Sequence, residues 1–211
     1  MKQSIDLKEL ERKAFRATFQ DGLLDMFIGV AVVAFAVIPL LEGLGDFWSA
    51  VAFLPIYGMA WLGFRAAKRG LTLPRMGAIR PGPARRERVR KTMAAIAVAI
   101  GVVAVLGLAV IALQQGGAAL ADWLFPALLG LLALTVFSVA AHLLDLPRLY
   151  AYGVLVGLAA PVGEILYRRA GASHHGWPIT FAIAGGTIFV AGVVMLLRFL
   201  RAYPVVREGE P

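Results

Sequence analysis

Residues 92–113 read TMAAIAVAIGVVAVLGLAVIAL, an apolar run without a charged side chain. A transmembrane α-helix needs about 20 such residues to cross the roughly 30 Å hydrocarbon core of a bilayer. Within that core every backbone polar group must be hydrogen-bonded inside the protein, and a helix does so within its own segment. The run therefore predicts a helix that spans a membrane.

Further apolar runs of similar length occur on both sides of this one. They cover residues 23–41, 47–64, 120–141, 149–167 and 179–197. The 211-residue chain is 60% hydrophobic and 16% charged, whereas soluble domains are about 45–50% apolar and about 25% charged. We therefore expect an all-α, polytopic membrane protein with six transmembrane helices.

The basic residues alternate between the two sides of these six spans. Of the 21 Lys and Arg residues, all except Arg168 and Arg169 fall in segments that the six-span arrangement places on one side. Cytoplasmic loops carry the excess of Lys and Arg in membrane proteins. Both termini are therefore predicted to be cytoplasmic.

Three regions follow from this arrangement. Residues 1–21 are predicted to form a short amphipathic helix on the cytoplasmic side, either a membrane-surface anchor or an arm that binds a partner. Residues 22–200 form the six-helix transmembrane domain, which includes a basic cytoplasmic loop at 65–91, and residues 201–211 form a cytoplasmic tail.

The basic loop at 65–91 is expected to contact anionic lipid headgroups, since each Lys or Arg beside an anionic leaflet contributes about 1 kcal/mol. A phosphate-bearing ligand or an acidic partner is the alternative interpretation. Nucleic acid is not an expected partner, because aromatic side chains are not interleaved with the basic ones.

Two stretches carry a resemblance to a known family. Residues 15–30 read FRATFQDGLLDMFIGV and residues 73–90 read LPRMGAIRPGPARRERVR. Both are similar to an uncharacterised family of small prokaryotic membrane proteins, over less than half of the chain. The resemblance implies a location in the cytoplasmic membrane of a prokaryote, and it implies no activity. It draws attention to Asp21, Gly22, Asp25, Pro74, Arg75 and Gly77.

Charged side chains avoid the centres of the spans and gather near their ends. Asp21 and Asp25 lie on one helical face at the inner end of the first span, where Asp25 is expected to meet His142, Arg148 or loop arginines. Such groups at a membrane are functional candidates. They form either ion pairs that fix helix ends or a cytoplasm-facing vestibule for an ion or substrate. The candidate inner cluster comprises Asp21, Asp25, Arg75, His142, Asp145 and Arg148.

Two further sets of residues have a predicted structural role. Glu164 and Arg168 are spaced to form an ion pair on one helical face near the outer surface. Small residues let helices approach closely in membranes. The predicted packing positions are Gly153 and Gly157 in the fifth span and Ala182 and Gly186 in the sixth.

No cofactor or metal site is predicted. The chain has no cysteine, and the pairs His142–Asp145 and His174–His175 each supply only two ligands, fewer than a zinc site requires. No nucleophile-elbow or comparable catalytic motif is present, although an enzyme that acts on lipid headgroups through the inner carboxylates remains a third interpretation. The sequence favours a non-enzymatic accessory protein that contacts lipid, another membrane protein or a second copy of itself. The alternative is a small channel or transporter, for example a dimer, with a vestibule near Asp25 and His142.

Overall fold

The computed structural model describes residues 19–37, 40–41, 53–76 and 121–204, together with single or short helical positions between 87 and 109. Every regular element in these ranges is helical. The predicted amphipathic helix at 1–21, except for its last three residues, lies outside the described residues. So do most of the apolar run at 92–113 and the tail beyond Pro204.

Five longer helices and three short helical segments have defined bounds in the described ranges. In chain order they are α1 (Leu23–Val37), α2 (Phe53–Ala67), a π-helical segment (Lys68–Thr72), α3 (Leu73–Met76), α4 (Ala121–Leu144), α5 (Arg148–Ala170), a 3-10 turn (His174–Gly176) and α6 (Trp177–Ala202).

Three of the described helical stretches are long and apolar enough to cross a membrane. They are Trp123–Leu144, Arg148–Ala170 and His174–Ala202, and they match the fourth, fifth and sixth predicted spans. The described helices of the first two predicted spans, α1 and α2, have 15 residues each. At 1.5 Å per residue such a helix is about 22 Å long, shorter than the roughly 30 Å hydrocarbon core.

The second predicted span continues directly into the predicted basic loop at 65–91. The backbone N–H of Leu73 donates to the carbonyl of Lys68, which closes a π-helical turn, and α3 follows without a break. Residues 65–76 are therefore helical rather than looped. Pro74 lies near the C-terminal end of this continuous helical stretch, and its nitrogen has no N–H to donate to the preceding turn.

Helices α1 and α6 pack with their backbones in contact, through two pairs of glycines spaced seven residues apart, Gly22 just before α1 with Gly29 in α1, and Gly185 with Gly192 in α6. A Cβ atom at Gly29 would lie 2.7 Å from the Cα of Phe189, and one at Gly192 would lie 2.6 Å from the N of Met26. Gly22 and Gly185 are equally crowded by the facing backbone. The order of these contacts makes the two helices antiparallel.

Helices α4 and α5 pack in the same way through the predicted pair Gly153 and Gly157. A Cβ atom at Gly157 would lie 3.0 Å from the carbonyl oxygen of Gly130, and one at Gly153 would lie 2.9 Å from the Cβ of Phe137. Small residues at these positions let the two backbones approach.

The contact of α6 with α1 does not use the predicted positions Ala182 and Gly186. Ala182 is exposed, and a Cβ atom at Gly186 would meet no atom within 4 Å in the described part of the chain. The contact runs instead through Gly185 and Gly192. One residue turns a helix by about 100°, so neighbouring glycines at 185 and 186 lie on different faces.

The helices alternate in direction, and this brings most of the described basic residues to one end. The end is formed by the N-termini of α1 and α5 and the C-termini of α4 and α6, together with the C-terminal extension of α2. We call it the basic end. It carries Arg65, Lys68, Arg69, Arg75, Arg148, Arg198 and Arg201.

Candidate functional site at the basic end

Asp21 precedes α1 and is fully buried at the basic end. Its Oδ1 accepts a 3.2 Å hydrogen bond from the backbone N–H of Leu23, the first residue of α1. Its Oδ2 accepts two bonds of 2.6 Å, from Nζ of Lys68 and from the hydroxyl of Thr72. Charge-assisted hydrogen bonds are the stronger ones in proteins, so this carboxylate ties α1 to the π-helical segment.

Lys68 and Thr72 reach one carboxylate because they are four residues apart, a spacing that places two side chains on the same face of a helix. Lys68 and Thr72 open and close the segment, and both point at Asp21. The Lys68 ammonium also lies 5.3 Å from the ring centroid of Phe19 and 5.9 Å from that of Phe64.

Asp25 is one helical turn beyond Asp21 and is also fully buried. Its Oδ1 lies 2.8 Å from Nε of Arg148, the first residue of α5. The two groups form a close ion pair without the alignment of a linear hydrogen bond. Arg148 also donates from Nη2 to the carbonyl of Phe19, so one guanidinium holds both the start of α1 and the segment before it.

In the structure the residues of the predicted inner cluster make separate contacts and do not form one group. Asp25 meets Arg148, and Asp21 is held by Lys68 and Thr72, two residues that the sequence did not single out. His142 is exposed, and no hydrogen bond or ion pair joins it to either buried aspartate in the described part of the chain. Arg75 donates to the carbonyl of Leu71, one turn back. Asp145 lies in the α4–α5 turn with a φ of 57°.

A second ionic group lies at the opposite end, around Glu164. This side chain is almost fully buried and accepts a 2.6 Å bond from Nε of Arg168, the partner that the i,i+4 spacing predicts. Its Oε2 is also 2.8 Å from Nδ1 of His175. The Arg168 guanidinium lies over the ring of Trp123, 4.8 Å from its centroid. Glu164 therefore joins the end of α5 to the turn that begins α6.

The turn before α6 has an unusual backbone. His174, His175 and Gly176 have φ values of 50°, 54° and 63°. Histidine adopts such left-handed conformations less readily than glycine. The His175 ring packs 4.5 Å from the ring centroid of Tyr167, and this contact together with the bond to Glu164 holds the turn. The two adjacent histidines do not converge with a third ligand. In the described residues no group of three or more His, Asp or Glu side chains is placed to hold a metal ion.

An apolar cavity of about 280 Å³ lies between the helices. Residues of α1, α2, α4, α5 and α6 line it, including Phe27, Phe35, Leu132 and Phe181. Among the described residues that line it, the one hydroxyl belongs to Tyr57, which donates a 3.0 Å hydrogen bond to the carbonyl of Ala31. Asp25 and His142 are not part of its lining.

Comparison of the chain with protein-family models, with curated proteins and with solved structures found no match.

Proposed function

We propose that this protein is a non-enzymatic accessory component of a prokaryotic cytoplasmic membrane. In this proposal it spans the bilayer six times with both termini in the cytoplasm. Three described helices of spanning length and composition support the membrane location. The alternation of the basic residues along the sequence supports the orientation, which makes the basic end the cytoplasmic one.

The observation that carries this proposal is the mutual neutralisation of the buried charges at the basic end. Asp21 and Asp25 are both fully buried, and each is paired with a cation from another helix. A buried charge is costly unless it is paired, and removing one partner is strongly destabilising. Groups that are already engaged in this way hold helix ends together and leave little capacity for a transported ion.

The exposed arginines of the same end supply the surface that such a protein would use. Arg65, Arg69, Arg198 and Arg201 are exposed, whereas Lys68 and Arg148 are drawn inward to the aspartates. Arginines at this depth attract anionic headgroups, and exposed cations also suit an acidic surface of a membrane partner. One set of cations neutralises the buried aspartates and another remains exposed. This arrangement favours a protein whose helix ends are fixed by ion pairs and whose basic surface contacts a partner.

The apolar cavity is the observation that favours the alternative, a small channel or transporter. Its described lining is hydrocarbon and aromatic apart from the Tyr57 hydroxyl, so these residues suit an apolar guest and offer no carboxylate or imidazole ligand to an ion. The vestibule expected near Asp25 and His142 gains no support, because Asp25 is closed off by Arg148 and His142 faces outward. The accessory function is therefore the better supported one.

Isolation of the intact protein tests this proposal. We expect the full chain, extracted from its native membrane in a mild detergent, to be recovered in a complex of mass greater than its own 22.6 kDa. The excess would be a second membrane protein or a second copy, identified by intact mass measurement and peptide sequencing. Recovery of a bare monomer, both by this route and after cross-linking within the membrane, would remove the support for an accessory function.

A further inference from the structure

We draw no further inference here: the strongest candidate, the apolar cavity of about 280 Å³ that α1, α2, α4, α5 and α6 line, is open to an apolar guest, but nothing in the described part of the structure shows what covers or occupies it.

Discussion

Replacing Arg148 with methionine is expected to destabilise the folded protein by about 3–5 kcal/mol, because the variant leaves the Asp25 carboxylate buried without its cation. Asp25 is fully buried, and Nε of Arg148 lies 2.8 Å from its Oδ1. Arg148→Met also removes the donor to the carbonyl of Phe19. Thermal unfolding in dodecyl maltoside should show a fall in Tm of about 10 °C.

Two companion variants separate the ion pair from other effects. The double variant Asp25→Asn/Arg148→Met removes both charges, so most of the lost stability should return. Arg198→Met, at an exposed arginine of α6, should change stability by less than about 0.5 kcal/mol. If the double variant is no more stable than Arg148→Met alone, the buried charge is not the source of the loss, and the ion pair does not hold the helix ends.

Substitution of Gly192 by valine is the second change with a large expected effect. A Cβ atom at this position would lie 2.6 Å from the backbone N of Met26 and 2.9 Å from the carbonyl oxygen of Gly22. Backbone atoms cannot turn aside as a flexible side chain can, so α1 and α6 must separate. Overpacking of this kind costs about 1–3 kcal/mol and occasionally more, and we expect about 3 kcal/mol here, measured by the same unfolding assay.

The matched control is Gly186→Val on the same helix. Among the described residues, no atom lies within 4 Å of a Cβ atom built at Gly186, so valine there should change stability by less than about 0.5 kcal/mol. The two variants share chemistry and helix propensity and differ only in the face that they occupy. Equal losses for Gly192→Val and Gly186→Val would contradict the close approach of α1 and α6.

The predictable part of the fold is the part that depends on local composition. Apolar runs of sufficient length predict spans four to six directly, because length and hydropathy are properties of a segment alone. The face that a helix uses for packing depends also on the helix that packs against it, and the sequence of one segment does not specify that neighbour. Gly185 and Gly186 are equivalent in sequence, and only the position of α1 makes Gly185 the contact and leaves Gly186 outside.

In the candidate site, too, one part is predictable from the sequence and another part is not. Asp25 and Arg148 could be placed near each other because the predicted topology brings the start of the first span and the end of the fourth to one side. The sequence does not predict the partners of Asp21, because the Gly and Pro residues of 65–91 indicate a loop. In the structure Lys68 and Thr72 lie in a helical segment that continues α2, and their i,i+4 spacing then places both on one face, where they reach Asp21.

The central claim is that the buried carboxylates at the basic end are closed off by their ion pairs, as expected of a scaffold rather than of an ion pathway. Its most direct test is carbodiimide-driven amidation of the folded protein in mild detergent, with modified residues identified by peptide mass analysis. Glu87 is an exposed internal reference, since more than half of its side chain is accessible. We predict that Glu87 is modified readily and that Asp21 and Asp25 react only after unfolding. Modification of Asp25 in the folded protein at a rate similar to that of Glu87 would contradict the account and favour an open vestibule.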